Sequence, residues 1–146
     1  MKEQILQRIT ELFGNPNEAN PFSEGVEVKY QKHNMYELSF EVTERGLQLF
    51  LNGTGPIIGD CTLRDLEDLD QLLEEICVIV SNPIKEVKYK VSKNIRKTRF
   101  EYKALLGGEI VDLSYSGGRF QWRDLLKKKE VEKVIYDSWL NEYEGN

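Results

Sequence analysis

The residue types that most often carry catalysis are scarce in this chain of 146 residues, which has one histidine, His33, and two cysteines, Cys61 and Cys77. A nucleophilic thiol needs a base beside it, and a zinc site needs about four nitrogen, sulfur or oxygen ligands. His33 stands in the turn KHNM, where an exposed side chain is expected, and Cys77 falls in an apolar helical run, where a buried free thiol is expected. The sequence therefore predicts no catalytic residue, no metal site and no cofactor. An enzyme that uses a carboxylate pair or a Cys61–His33 pair is a third hypothesis, after the two binding functions given below.

Carboxylates are abundant, and six of them fall on the polar side of one predicted helix. They are Asp65, Glu67, Asp68, Asp70, Glu74 and Glu75. Such a cluster is typical either of a solvated helix face or of an acidic surface that attracts a basic partner. Phe50 interrupts the alternation of its strand and is predicted to point to the polar face, so we count it as a further partner-binding residue.

Basic residues concentrate in residues 85–103, which hold eight basic and two acidic side chains. The alternation places Lys88, Lys90, Arg99 and Lys103 on one face of a hairpin, and Lys93, Arg96 and Lys97 near its turn. A basic face of this kind can follow phosphate groups. The aromatic residues of the hairpin fall on its apolar side, where they cannot stack on bases. Binding of nucleic acid or of a phosphorylated small ligand is therefore the alternative function.

The net charge of −5 is unevenly divided along the chain. Residues 1–84 contain 6 basic and 15 acidic residues, which gives −9, and residues 85–146 contain 14 basic and 10 acidic residues, which gives +4. Such an asymmetry indicates either a charged partner or mutual attraction of the two halves within the fold.

The hydrophobic pattern predicts three helices and six strands. Apolar spacing of three and four residues predicts helices over residues 2–13, 63–80 and 124–143, with Thr62 and Asp65 as the capping box of the second. Period-two alternation predicts three strands within residues 26–51 and three within residues 87–115. The segments GNPNEANPFSEG and NGTGPIIGD are predicted to be loops.

A sequence echo supports two similar units. GDCTLRDL at residues 59–66 resembles GRFQWRDL at residues 118–125, and EVKY occurs at residues 27–30 and 86–89. The echo indicates either an internal duplication of a βββα unit, over residues 26–80 and 85–143, or two segments that obey the same pattern rules. The fold class is α+β, with the order helix–three strands–helix–three strands–helix and the helices on one face of a mostly antiparallel sheet. Trp122 and Trp139 are expected in the core.

The length predicts a single domain over residues 1–146. No apolar run approaches the ~20 residues that span a bilayer, and the amphipathic, acid-containing N-terminus is not a secretory signal. We therefore expect a cytoplasmic protein that does not enter the membrane.

The predicted element order loosely resembles that of small acidic secretion chaperones and bacterial immunity proteins, although no shared motif carries the resemblance. The lack of a predicted catalytic constellation and the segregated charge together lead to the hypothesis of a non-enzymatic protein-binding module that sequesters or inhibits a partner with a basic surface. An immunity protein, a chaperone and a phage-encoded inhibitor of host defence all fit. A homodimer is a further expectation, because Phe50 and the edges of the sheets need covering.

Overall fold

The computed structural model describes residues 1–53, 57–91, 94–103, 110–117 and 127–140. It confirms an α+β fold, and the described residues form two helices and two antiparallel sheets. The chain divides into two compact units, Met1–Cys77 and Val78–Asn146, which are described separately below. The single domain over residues 1–146 stays a prediction.

The first unit contains a five-stranded antiparallel sheet in which each strand pairs with the next one along the chain. Its elements are α1 (Lys2–Phe13), β1 (Glu18–Phe22), β2 (Gly25–Tyr30), β3 (Leu38–Thr43), β4 (Gly46–Leu51), β5 (Ile58–Thr62) and most of α2 (Leu66–Val80). The predicted first helix and the three predicted strands that follow it are confirmed as α1 and β2–β4.

Helix α1 packs on one face of this sheet, which we call the α1 face. The ring of Phe13, at the end of α1, lies 5.4 Å from that of Phe40 and 5.8 Å from that of Tyr30, centroid to centroid. Phe40 and Leu49 stand opposite each other on neighbouring strands, and both are fully buried. The opposite face carries Ser39 and Phe50 and is more polar, as the alternation predicts.

Two segments that we predicted to be loops contain edge strands. Strand β1 lies within GNPNEANPFSEG, and β5 begins within NGTGPIIGD. All five residues of β1 are exposed, and the ladder to β2, from Glu18↔Lys29 to Phe22↔Gly25, holds the strand in place. A strand that buries no side chain has no apolar alternation. Pro21 is tolerated in β1 because an edge strand has one side without ladder bonds.

Gly25 allows β2 to begin close against β3. A Cβ atom on Gly25 would lie 1.9 Å from the carbonyl oxygen of Val42 and 3.1 Å from the Cα atom of Thr43, and both of these are backbone atoms. Because no side chain can move away to relieve such a contact, we expect Gly25→Ala to lower the free energy of unfolding by about 1–3 kcal/mol. Denaturant unfolding followed by circular dichroism measures the loss. Gly53→Ala cannot serve as the control for this contact. The backbone φ of Gly53 is 66°, a conformation in which any side chain introduces strain of its own.

Helix α2 begins at Leu66, three residues later than predicted, because Asp65 takes the capping position. The Asp65 carboxylate accepts a hydrogen bond of 2.9 Å from the backbone N–H of Asp68. The Asp68 carboxylate in turn accepts one of 2.9 Å from the backbone N–H of Arg64. The predicted capping box of Thr62 and Asp65 is thus wrong, and a similar reciprocal pair stands three residues further along the chain.

The second unit contains a four-stranded antiparallel sheet with the order β8-β7-β6-β9. Its strands are β6 (Ile84–Val91), β7 (Asn94–Lys103), β8 (Ile110–Gly117) and β9 (Lys129–Tyr136). The three predicted strands are confirmed as β6–β8. Trp139 is buried, as predicted, and its backbone N–H donates to the carbonyl oxygen of Val80 at 2.8 Å. Trp122 lies outside the described residues.

The predicted third helix is wrong where the structure describes it, because residues 129–136 form β9. This strand pairs with β6 along its whole length, from Ile84↔Tyr136 to Val91↔Lys129. The spacing of Val131, Val134 and Ile135 fits a helical stripe, but these residues are β-branched and suit a strand. Since residues 129–136 form a strand and not a helix, the structure does not confirm a duplicated βββα unit.

Candidate functional site

The acidic residues of α2 fall into two groups, and the first group is used within the fold. Asp65 caps the helix, as described above. Asp68 forms an ion pair with Arg64, with Nε and Oδ2 2.9 Å apart. Asp70 forms an ion pair of 2.9 Å with Arg8, which lies on α1 and is 62 residues away in sequence. These three carboxylates serve the helix end and the contact between the two helices.

The hydrogen bonds and the charge of Arg64 hold the pKa of Asp68 below its usual range. A carboxylate whose pKa is lower in the folded state stabilises the fold above its unfolded pKa, and loses that contribution as the pH falls through the lowered value. We therefore expect Asp68→Asn to destabilise the protein more at neutral pH than in acid below the usual aspartate pKa of about 3.9. Unfolding midpoints of both proteins across this range measure the difference. An equal loss at all pH values would contradict the assignment.

The second group consists of Glu67, Glu74 and Glu75, which we call the free acids of α2. All three are exposed, and none forms an ion pair within the part of the chain that the structure describes. The spacing of seven and eight residues places them on one side of the helix, with the exposed Gln71 between them. These three carboxylates thus make no described ion pair that would stabilise the fold.

A groove of about 430 Å³ runs beside the free acids, and sequence reasoning did not predict it. Its lining includes the buried side chains of Leu63 and Leu72 and the polar side chains of Asp68, Gln71 and Glu75. An apolar base beside the exposed Glu75 suits a lysine or arginine side chain, whose aliphatic stem packs on leucine while its charged end meets the acid; Asp68 is already paired with Arg64. We call this feature the α2 groove.

A second cleft, of about 420 Å³, lies near the turns of the first sheet. Glu24, Glu41, Glu44 and Arg45 supply its charged lining. Gly46, at the start of β4, also lines this cleft. Phe50 is half-buried on the face opposite the α1 face, and its role as a contact residue stays a prediction.

The basic residues of the β6–β7 hairpin do not share one face, which corrects the prediction. The register pairs Lys88 with Thr98 and Val87 with Arg99, so Lys88 and Arg99 point to opposite sides of the sheet. The register of a hairpin depends on the turn and on bulges, and a register shift does occur between Tyr89 and Lys90. Lys93 lies outside the described residues, and so do the side chains of Arg96 and Lys103.

Acidic side chains neutralise much of the described part of this hairpin. The buried carboxylate of Glu86 lies 3.5 Å from the amino group of Lys88, and that of Glu101 lies 3.3 Å from the guanidinium of Arg99. Glu132, on β9, pairs with Lys90. Lys97 lies over the ring of Tyr89, 5.3 Å from its centroid. Each of these basic side chains of the hairpin therefore contacts a partner within the second unit.

The residues that could perform nucleophilic or metal chemistry are not assembled into a site in the described ranges. Cys77 is buried, and burial raises the pKa of its thiol; His33 is exposed in its turn, as predicted. Among the described residues, no three histidine, cysteine, aspartate or glutamate side chains are arranged to hold a metal ion. The side chain of Cys61 lies outside the described set.

Neither of the two described helices is long and apolar enough to cross a membrane. Comparison with protein-family models, with curated proteins and with solved structures gives no match to the chain.

Proposed function

We propose that the protein is a non-enzymatic binding module that sequesters or inhibits a partner protein with a basic surface. The observation that carries the proposal is the presence of three free acids on one side of α2, beside the α2 groove. The partner would place a lysine or arginine side chain in the groove and further basic residues along Glu67, Glu74 and Glu75.

The distribution of charge supports this proposal at the level of whole units. Residues 78–84 carry no charge, so the values of −9 and +4 found for the two halves of the sequence also apply to the two compact units. A unit with a charge of −9 creates a long-range field that accelerates encounter with a basic protein. The α2 groove belongs to this acidic unit, where that field guides the partner.

The open shape and the chemistry of the α2 groove support a side-chain contact better than a small-molecule site. Its lining includes two leucines and two carboxylates and lies along the side of a helix. Small-molecule sites are usually deeper and enclose most of their ligand. A protein partner can add contacts on either side of the groove, and interfaces commonly have an apolar centre with a polar rim.

The hairpin contacts favour the protein-binding reading over the binding of phosphate groups. A phosphate that approached Lys88, Lys90 or Arg99 would have to displace or sit beside Glu86, Glu132 or Glu101. Nucleic-acid binding depends on cations that are available to replace the counterions of the phosphates. Carboxylates beside the lysines lower that availability.

Capture from the native host tests the proposal. The tagged protein is incubated in two samples of host lysate, one with nuclease and one without. Each sample is washed at low salt and eluted at high salt, and the eluates are analysed by mass spectrometry. We expect one protein with a basic surface in stoichiometric amount, released by salt because the contact is electrostatic. Nucleic acid retained only without nuclease would favour the hairpin alternative. An eluate without any enriched protein would contradict the proposal.

A further inference from the structure

Strand β9 is an edge strand that exposes apolar side chains. It pairs with β6 on one side, and within the described strands nothing pairs with its other side. Val131 is 54% exposed and Ile135 is 73% exposed, and they alternate with the exposed Lys129 and Lys133 on one face. A long edge strand with exposed apolar residues is a template for pairing with another strand.

We infer that two copies of the chain associate through antiparallel pairing of their β9 strands, about a two-fold axis at Lys133. A two-fold interface uses the same surface on both copies, so its contacts must be self-complementary. In this register, Val131 of each copy lies opposite Ile135 of the other. Lys129 of each copy lies opposite Asp137 of the other, an exposed residue that directly follows β9 and also accepts a hydrogen bond from the backbone N–H of Ser138. The interface thus contains two apolar pairs between two pairs of opposite charge.

The axis is assigned to Lys133 because this register pairs residues 130–136, which is nearly the whole strand, and keeps the favourable pairs. An axis at Ile135 would pair only residues 134–136 of β9, because the strand ends at Tyr136. An axis at Glu132 would place Val131 opposite Lys133 and Glu132 opposite its own copy. An axis at Val131 would place Lys129 opposite Lys133. Opposite charges and apolar pairs directly across a sheet stabilise it, whereas like charges destabilise it.

The other face of β9 is compatible with the same register. Glu130 would lie opposite Tyr136 and Glu132 opposite Val134, so no carboxylate opposes another. Glu132 is already paired with Lys90 of its own chain. The one unfavourable contact is Lys133 against its own copy, where two long side chains can diverge into water. This contact makes the association weaker than an apolar centre would.

Cysteine cross-linking tests the register. In the Lys133→Cys variant the two new thiols face each other across the axis, within the Cα separation of about 4.4–6.8 Å that a disulfide needs. In the Lys129→Cys variant, on the same strand and face, the two thiols are eight residues apart along the paired strands, or about 27 Å at ~3.4 Å per residue. We expect mild oxidation to link the first variant and to leave the second and the wild-type chain unlinked.

Linkage of both variants, or of neither, would overturn the proposed register.

Sedimentation over a range of concentrations tests the association without a new thiol. The wild-type chain is expected to reach twice its mass of 17.0 kDa. Ile135→Lys should weaken the dimer by about tenfold or more, because it removes both apolar pairs. Leu66→Lys, at an exposed apolar residue on α2, should leave the dimer unchanged. A wild-type chain that stays monomeric at all concentrations, or a dimer that is unaffected by Ile135→Lys, would overturn the inference.

Discussion

Replacing Phe40 with alanine is expected to lower the free energy of unfolding by about 3–5 kcal/mol. Phe40 is fully buried in the middle strand of the first sheet. Its ring contacts Phe13 of α1 and meets Tyr30 edge-on, with centroids 6.3 Å apart. The substitution therefore leaves a cavity and removes the contacts that fix α1 on the sheet. Denaturant unfolding followed by far-ultraviolet circular dichroism measures the loss.

Phe50→Ala is the matched control for Phe40→Ala. Phe50 lies on the neighbouring strand β4, but it points to the opposite face and is only half-buried. We expect a loss of about 1–2 kcal/mol, in proportion to the smaller apolar area removed from water. Phe40→Leu should recover most of the loss caused by Phe40→Ala, because it refills most of the volume. Equal losses at Phe40 and Phe50 would contradict the assignment of the core to the α1 face.

The elements that bury one complete face were predictable from the sequence. Helix α1 buries Ile5 and Ile9 at a spacing of four residues, and β4 buries Leu47, Leu49 and Leu51 at a spacing of two. In these segments the period of the apolar residues and the period of the backbone agree, so the sequence alone specifies the element type.

Strands β1 and β9 were not predictable, because neither strand has the regular apolar alternation that indicates a strand in the sequence. Strand β1 buries nothing, and β9 exposes Val131 and Ile135 on one face while Val134 falls on the other. Both strands are at the edge of a sheet. Backbone hydrogen bonds to a neighbouring strand hold such segments in place. For β9 the partner strand, β6, is also distant in the sequence.

The candidate site was predictable in its composition but not in its division of roles. The cluster on α2 is visible in the sequence, and so is the local pair of Arg64 and Asp68, four residues apart. The pair of Arg8 and Asp70 depends on the fold bringing α1 near α2, which no local pattern specifies. The α2 groove depends on the position of Leu63, just before the helix begins.

The basic hairpin shows how one wrong element changes a functional interpretation. With residues 124–143 predicted as a helix, Lys90 had no expected partner and contributed to a basic face. In the structure, β9 pairs with β6 and brings Glu132 to Lys90. Counting charge along the sequence therefore overestimated the basic surface, because it ignored acids from a strand that lies 42 residues away.

Reversing the charge of the three free acids, with Glu67→Lys, Glu74→Lys and Glu75→Lys combined, is expected to slow association with the captured partner by about 10- to 100-fold. The acids are exposed and make no described ion pair, so the substitutions should leave the fold intact. The physical reason is that the reversed charges repel the basic surface that the wild-type helix attracts. Surface plasmon resonance measures the association rate of each variant. The change of that rate between low and high salt gives the electrostatic part of the effect.

The matched control reverses three exposed acids of the same unit that lie away from α2, namely Glu3, Glu11 and Glu18. Both variants change the net charge of −5 by the same six units, so they weaken the long-range field of the first unit equally. A specific surface on α2 predicts that the helix variant loses far more affinity than the control, because short-range contacts at the groove are lost as well. Equal losses would mean that the partner responds only to net charge. High salt should remove most of the difference in association rate, because at about 1 M salt the screening length falls to about 3 Å.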